Sequence, residues 1–357
     1  MTQRGITLPV TDTLADFGLA GFSISAGTGI VTDPRGFPDP VTGRMVAYMV
    51  APSTAAAWSM IRIDLESRSW TTLRQVPAAP GGGVYNTAIM AAVYDPNGGV
   101  ASNEPSVYVL ISSSLNPFCA WYQYNILTDG WVLLNSPNTG AVPGTVPLAT
   151  SVSLCHPCNT LGTYVALNAN ISDDYIYANG DGGQWGAAGV SRLAQFRKST
   201  GAWTYLTGVG GLRGGAPAAG SQCVWLPSNA GVIFTTRGGG GPQWDVYNFV
   251  GNAWSAAFVP APQTQFFNAG SEITTVCWDH EKVAVRSANQ STMVFTISGN
   301  DLVTATTGAY RFVCSADGAD GTLHASNTLF TWSIGGKNYI GLMQHGGSVV
   351  QRIRVIE

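Results

Sequence analysis

Four tryptophans recur along the chain, and each lies seven residues after an apolar residue in a β-like run. The pairs are Ile63 and Trp70, Tyr124 and Trp131, Phe196 and Trp203, Tyr247 and Trp254, and a degenerate fifth pair, Phe295 and Leu302. Roughly 50–70 residues separate successive tryptophans, a period typical of repeat architectures, and of propellers when the repeated unit is made of strands. This repeat constrains the fold more closely than any motif constrains the function.

Each tryptophan belongs to the last of four predicted strands. An apolar run that ends in a turn comes first, as in AAVYDPNGG at 91–99, and a second strand follows, as in SVYVLIS at 106–112. Pro, Asp, Asn and Gly at the end of an apolar run indicate a hairpin turn. The third strand carries the apolar residue of each pair, and the fourth carries the tryptophan. Four antiparallel strands repeated around an axis form the blade of a β-propeller, so we expect an all-β fold.

Counting these units predicts a single six-bladed domain over residues 1–357. The predicted blades span about 29–75, 87–136, 150–208, 220–260, 273–306 and 311–357. The sixth unit has only three strands, and we expect GITLPV at 5–10 to supply the fourth, because closing the ring removes its open strand edges. A seven-bladed ring would need a further unit within 11–28 or 315–335, where the strand signal is weak.

Composition and charge exclude several partners. Charged residues make up 10% of the chain, against roughly 25% in an average soluble protein. The formal net charge is −3 and no cluster of Lys and Arg occurs, so we expect no nucleic-acid partner. No apolar run reaches the roughly 18 residues needed to cross a bilayer. The amino terminus, MTQRGITLPV, lacks the apolar region of a signal peptide, so we expect neither membrane insertion nor a cleaved leader.

With the blade boundaries drawn, the units resemble the kelch repeat, in which the second strand ends in a Gly-Gly pair before a Tyr-rich third strand and a Trp-bearing fourth. The third unit follows this pattern in YIYANGDGG and LAQFRKSTGAWTYL, and the fourth follows it in VIFTTRGGGG. The sixth unit has the Gly-Gly pair without the Trp, and the first, second and fifth units lack the pair. The resemblance implies a kelch-like propeller, a fold that serves both enzymes and binding scaffolds.

No residue pattern in the chain predicts catalysis, a metal or a cofactor. Cys155-His156-Pro157-Cys158 lacks the second CxxC pair that a closed zinc site commonly uses, and we interpret it as a hairpin turn. The Gly-rich runs at 81–83, 208–215 and 238–241 do not lead from a strand into a helix, as a phosphate-binding loop requires. Carboxylates form no paired pattern and no G-x-S-x-G motif occurs. We therefore expect the chain not to be an enzyme.

The repeated tryptophans are predicted to pack the blades together, since large aromatic residues dominate burial in such cores. Six other aromatic residues and one arginine fall in predicted loops, beside Asn, Gln, Arg or Gly. Exposed aromatic residues can stack on sugar rings or anchor a protein partner, and ordinary loop packing is the alternative for each. These candidate binding residues are Trp58, Tyr85, Trp185, Arg237, Trp244, Phe266 and Phe267.

Low charge, polar loops and the absence of a leader together favour a structural propeller in a tailed-bacteriophage virion, in the tail, the baseplate or the capsid surface. Such a particle is assembled in the host cytoplasm and works outside the cell. The expected partners are other virion proteins, further copies of the chain, and a host-surface glycan used for attachment. The alternative is a free carbohydrate-binding lectin of the six-bladed type, with one sugar pocket between each pair of blades. Such pockets would require Arg, Glu and Trp at equivalent loop positions, a repetition that the sequence does not show.

Overall fold

The computed structural model of the chain describes residues 15–22, 31–32, 36–54, 57–78, 85–99, 103–113, 119–135, 151–155, 174–181, 190–206, 212–214, 224–226, 232–236, 244–248, 253–254, 274–277, 282–286, 292–296, 310–314, 328–344 and 352–356. All regular structure within these segments is β-strand, which confirms the all-β prediction. In this part of the chain, no helix is long and apolar enough to cross a membrane.

The first three sheets follow the chain order. After β1 (Ala15–Asp16), the first sheet contains β2 (Val31–Thr32), β3 (Phe37–Pro38), β4 (Met45–Thr54), β5 (Ala57–Asp64) and β6 (Ser69–Gln75). The second sheet contains β7 (Tyr85–Asp95), β8 (Ser106–Ser113), β9 (Cys119–Asn125) and β10 (Gly130–Asn135). The third contains β11 (Ser151–Cys155), β12 (Tyr175–Asp181), β13 (Val190–Arg197), β14 (Ala202–Tyr205) and β15 (Leu212–Gly214).

Three further sheets complete the described strands. The fourth contains β16 (Val224–Leu226), β17 (Val232–Thr236), β18 (Trp244–Asn248) and β19 (Ala253–Trp254). The fifth contains β20 (Thr274–Cys277), β21 (Lys282–Arg286), β22 (Thr292–Thr296) and β23 (Tyr310–Cys314). The sixth contains β24 (Thr328–Ile334), β25 (Lys337–Gln344), β26 (Arg352–Ile356) and β1. Each sheet has a path of four strands in antiparallel order, with β3 and β15 as short additions.

The seven-residue spacing of the sequence repeat is the hairpin that joins the third and fourth strands of a sheet. The residues that pair in register are Ile63 and Trp70, Tyr124 and Trp131, Phe196 and Trp203, and Tyr247 and Trp254. The fifth pair is wrong, because Phe295 pairs with Tyr310, and Leu302 lies outside the described residues.

A shared turn produces this register in the first three sheets. Two residues before each tryptophan the backbone takes a positive φ, which is 55° at Arg68, 50° at Asp129 and 66° at Gly201. A left-handed conformation costs most residues roughly 1–2 kcal/mol, and Gly, Asn and Asp adopt it most easily. This turn therefore explains why Asp-Gly precedes Trp131 and why Gly201 lies two residues before Trp203.

The sheets bury both faces, as the alternation along β4 shows. Successive residues of a strand point to opposite faces. Val46, Tyr48 and Val50 pack with residues of the second sheet, whereas Ala47, Met49 and Ala51 pack with Phe330 and Trp332 of the sixth. A third cluster joins the second and third sheets and includes Trp121, Phe196 and Trp203. The first and second sheets are therefore each a layer between two neighbours.

The sixth sheet packs against the first, and the amino-terminal segment closes it. The backbone N–H of Gly36 donates to the carbonyl of Thr331 at 2.6 Å. β1 pairs with β26, with Ala15 opposite Val355. The fourth strand of the last sheet is therefore Ala15–Asp16. The predicted closing strand at 5–10 lies outside the described residues and stays a prediction. A strand of two residues is too short to show the alternation by which strands are recognised.

The boundary between the fifth and sixth sheets also differs from the predicted one. The sequence predicts that the sixth blade begins at about residue 311, but Tyr310–Cys314 is the fourth strand of the fifth sheet. The sixth sheet begins with β24 at Thr328, inside the stretch 315–335 whose strand signal is weak. An apolar alternation reports burial of a strand and not the identity of the strand beside it.

Candidate functional site

The candidate residues predicted from the sequence fall into two groups. The prediction that Trp58, Tyr85 and Trp244 lie in loops is wrong, because Trp58 is the second residue of β5, Tyr85 begins β7 and Trp244 begins β18. Trp58 is only 6% exposed and belongs to the core between the first two sheets, so it is placed to pack rather than to bind. The other four lie outside the described residues and stay predictions: Trp185, Arg237, Phe266 and Phe267.

A different site lies where the fourth strands of the first and second sheets meet. We call it the Trp131 seam and define it by Leu73, Arg74, Asp129 and Trp131. The indole N–H of Trp131 donates to the backbone carbonyl of Arg74 at 3.3 Å. The backbone N–H of Arg74 donates in return to Oδ1 of Asp129 at 2.9 Å. These two bonds tie β6 to the turn before β10.

Trp131 presents an aromatic surface at this seam. Its ring centroid lies 4.9 Å from that of Tyr124 and 5.8 Å from that of Tyr122, so it packs on the second sheet as predicted. The side chain is nevertheless only half-buried, as is Leu73 beside it. An indole that is partly exposed offers apolar surface against which a ligand ring can pack.

Arg74 and Asp129 place polar groups of opposite character beside that surface. One guanidinium N–H of Arg74, on Nη1, donates to the carbonyl of Asp129 at 3.3 Å. The guanidinium is exposed, and its other N–H groups make no hydrogen bond within the described part of the chain. Oδ2 of Asp129 likewise accepts none there. The seam therefore offers several donors and one charged acceptor to a ligand.

Tyr124 fixes the orientation of the Asp129 carboxylate. Its hydroxyl donates to Oδ1 of Asp129 at 2.6 Å. Burial, the hydrogen bond to Asp129 and the charge of that carboxylate together raise the pKa of Tyr124 above its ordinary value. The phenol therefore stays protonated over the physiological range and holds Oδ1, which leaves Oδ2 turned to other partners.

The equivalent positions of the neighbouring sheets are already filled. In the first sheet, the indole of Trp70 donates to the carbonyl of Ala20 at 3.3 Å, and the ring of Phe22 packs edge-on against it. In the third sheet, Trp203 is 2% exposed and Gly201 stands where the second sheet has Asp129. Among these three described seams, the one at Trp131 alone combines an accessible indole, unused donors and an unused carboxylate oxygen.

The sequence reasoning missed this site because it treated the repeated tryptophans only as packing residues. The signal was the turn position two residues before each tryptophan, which changes from Arg68 to Asp129 to Gly201 along the repeat. Where a repeat keeps its tryptophan but changes the turn residue two positions earlier, the units can differ in role. No group of three or more His, Cys, Asp or Glu residues placed to hold a metal ion occurs in the described segments.

Comparison by sequence finds no relatives. No protein-family model matches the chain, and no curated protein matches it. The resemblance to the kelch repeat therefore has no support beyond the motifs, and its Gly-Gly pairs at 182–183, 238–241 and 346–347 lie outside the described residues.

Comparison by structure finds β-propellers. The α-L-arabinanase of Penicillium chrysogenum complexed with arabinobiose has a TM-score of 0.56 at 11% identity over 92% of both chains. The GH93 α-L-arabinofuranosidase of Fusarium graminearum with arabinobiose has a TM-score of 0.56 at 12% identity over 92% of both. The fucose-binding lectin of Aleuria aurantia, described as a six-bladed β-propeller, has a TM-score of 0.55 at 13% identity over 91% of this chain and 90% of that one.

These likenesses establish a propeller fold and correct one expectation. At such low identity they show the fold alone. The expectation that the chain is not an enzyme is overturned, because an arabinanase and an arabinofuranosidase share this fold over nearly the whole chain. The missing sequence motifs were those of nucleotide sites and serine hydrolases, and their absence does not exclude chemistry on sugars.

Proposed function

We propose that the chain is a six-bladed propeller that binds neutral sugars, and that the Trp131 seam is one of its binding sites. The observation that carries the proposal is the pairing of a half-buried indole with an exposed guanidinium and a carboxylate oxygen that accepts no hydrogen bond from the described residues. A sugar ring has apolar C–H faces and hydroxyl groups that both donate and accept hydrogen bonds. Trp131 matches the faces, and Arg74 and Asp129 match the hydroxyls.

The six described sheets support the architectural part of this proposal. Each has a four-strand path, the sixth is completed by the amino terminus, and the sixth packs against the first. The lectin from Aleuria aurantia lends further support, since its name joins this fold to fucose recognition. The sugar-binding alternative of the sequence analysis therefore becomes the main hypothesis.

The expected affinity of a single site for a monosaccharide is low. We take about −0.3 kcal/mol per non-hydrogen atom, the efficiency of drug-sized ligands, as the value for an exposed site. A monosaccharide of about a dozen such atoms then binds with a Kd in the millimolar range. Useful avidity requires several sites or several copies acting on one glycan surface.

A glycan-array screen followed by direct titration tests the proposal. The screen uses the wild-type chain and Asp129→Asn, and the titration uses methyl fucoside and arabinobiose. Asn keeps an oxygen for Tyr124 and tolerates the positive φ, but it removes the charged acceptor. We expect binding to fall at least tenfold in Asp129→Asn and in Arg74→Gln. Arg44→Gln is the matched control, since Arg44 is an exposed arginine just before β4 that pairs with Asp64 away from the seam.

The same preparation decides between binding and turnover. Incubation with arabinan and analysis of the released sugars would identify a hydrolase, because a binding protein returns its ligand unchanged. Binding that Asp129→Asn and Arg74→Gln leave unaltered would remove the Trp131 seam from the proposal.

The virion location, the virion partners and self-association remain hypotheses from the sequence. The three propellers named above are enzymes and a lectin, so they do not support a phage origin. Mass spectrometry of purified phage particles tests this hypothesis, which requires the chain to be present in the particle.

A further inference from the structure

A second groove lies between the sixth and first sheets, and the amino-terminal segment fills it. We define this segment as Ala15–Phe22. Its first two residues pair with β26, where Ala15 stands opposite Val355 and Asp16 opposite Arg354. Among the described residues, two residues of backbone pairing hold the segment to the sheet.

Two aromatic side chains anchor the segment further. The ring of Phe17 lies edge-on to that of Trp332 at 5.6 Å, and the ring of Phe22 lies edge-on to that of Trp70 at 5.3 Å. Phe17 is 5% exposed and Phe22 is 7% exposed, so both are inserted into the groove. The guanidinium of Arg68 lies 5.3 Å from the Phe17 ring centroid, over its face.

The backbone carbonyl of Ala20 makes a further contact with the groove. It accepts the indole N–H of Trp70 at 3.3 Å, as the carbonyl of Arg74 accepts that of Trp131. The segment therefore takes the place that the fourth strand of a preceding sheet has at the next junction. The groove recognises a short strand followed by two aromatic residues five positions apart.

We infer that this groove is also a docking site for the same segment of a second copy, so that two chains can close each other's last sheet. Every contact that holds the segment is made with residues that are present in each copy, and none requires that the segment belong to the same chain. Exchange of one identical element gives a closed two-fold dimer with no new interface to evolve.

The length of the connection between the segment and β2 determines whether the segment docks in its own chain or in a second copy. Eight residues, 23–30, lead from Phe22 to Val31 in β2, while Phe22 packs beside Trp70 in β6. Three strand spacings separate β6 from β2, or about 14 Å at about 4.8 Å each. The wild-type connection spans up to about 30 Å at 3.3 Å per residue, so closure within one chain is permitted. A tether of this kind gives a millimolar effective concentration and favours the monomer at ordinary concentrations.

Deleting residues 24–29 from the full chain tests the inference. The remaining connection then spans only about 10 Å, which is too short for closure within one chain. We expect a folded dimer of twice the monomer mass by light scattering. The same deletion combined with Phe17→Ala and Phe22→Ala is expected to lose at least tenfold in dimer affinity. A six-residue deletion at 139–144, between β10 and β11, is the control and should leave a monomer.

A shortened chain that stays monomeric with unchanged thermal stability overturns the inference. If the deletion prevents folding, the wild-type chain provides the test. Two differently tagged wild-type preparations are refolded together at high concentration, and one tag is captured. Mixed dimers that disappear with Phe17→Ala and Phe22→Ala support docking in trans, and the absence of mixed dimers contradicts it. Neither result depends on sugar binding.

Discussion

Trp131 donates its indole N–H to the carbonyl of Arg74, and so joins the fourth strands of two adjacent sheets at their outer edge. Trp70 makes the same bond to Ala20 at the preceding junction. The repeated tryptophan therefore hydrogen-bonds one sheet to the next and also packs within its own sheet. At the Trp131 seam this tryptophan is also partly exposed. A residue that joins two sheets therefore also forms part of the candidate binding surface.

The two indole bonds should contribute similarly to stability. Trp131→Phe and Trp70→Phe each keep an aromatic ring and remove the donor. A hydrogen bond of this kind contributes about 0.5–1.5 kcal/mol, so each variant should lose about that much free energy of unfolding in urea, plus the smaller ring's packing loss. A variant with unchanged stability would show that its indole bond makes no net contribution.

Gly201 should accept the residue types found at the equivalent turns and reject others. Its φ of 66° is left-handed. Gly201→Ala should cost about 1–2 kcal/mol, whereas Gly201→Asp should cost less, because Asp129 holds the same conformation in the second sheet. Thermal unfolding of the two variants compares them directly. Equal losses would mean that the turn is not the constraint.

Lys198 replaces an apolar residue at a repeated core position. Leu65 and Ile126 occupy this place in the other turns, and each donates its backbone N–H to a carbonyl at or just before the start of the second strand, as Lys198 does. The ammonium of Lys198 is buried against the Asp95 carboxylate, which is fully buried. The third sheet is thereby tied to the second by an ion pair.

Removing one partner of that pair should be far more harmful than removing both charges. Lys198→Leu alone leaves the Asp95 charge buried, at a cost of about 3–5 kcal/mol. Lys198→Leu with Asp95→Asn should recover most of that loss, because Asn can still accept the backbone N–H of Asn97. A double-mutant cycle in guanidinium chloride measures the difference, and strictly additive losses would contradict a buried coupled pair.

Asp174 should stabilise the fold at neutral pH and lose this effect in acid. Burial acts to raise the pKa of Asp174, but hydrogen bonds from Ser199 and Arg197 outweigh it and hold the pKa below its ordinary value of 3.8. A lowered folded-state pKa gives stability that is fully present above the unfolded-state pKa and disappears as the pH falls through the folded-state value.

Unfolding curves of Asp174→Asn and the wild type between pH 2 and pH 7 measure this contribution. The variant should be less stable at pH 7, and the difference should shrink below about pH 4. A difference that is constant with pH would assign the effect to something other than the carboxylate charge.

Local features of the fold were predictable because they are encoded in adjacent residues. The pairing of Ile63 with Trp70 follows from a hairpin whose length the sequence repeats. The partner of Phe295 was missed because Tyr310 lies fifteen residues after it in the chain, about twice the repeated spacing. The closing strand at Ala15 was missed because its two residues are held by Phe17 and Phe22 rather than by a strand pattern.

The candidate site was less predictable for the same physical reason. Arg74 and Asp129 are far apart in the chain and meet only when two sheets pack side by side. Residues chosen from the sequence for their loop context, such as Trp58, lie instead inside the sheets. The local sequence shows which residues are neighbours along one strand, whereas a seam forms between strands of two different sheets.

If a neutral sugar binds against Trp131, the indole N–H resonance of that residue should detect the binding most directly. The ¹⁵N–¹H signal of Trp131, assigned with Trp131→Phe, is followed during titration with methyl fucoside and with arabinobiose. We expect a saturable shift of this signal with at least one of the two sugars, with a millimolar Kd, and no shift of the buried Trp203 signal. A sugar that binds the chain while the Trp131 signal stays unchanged would contradict this expectation.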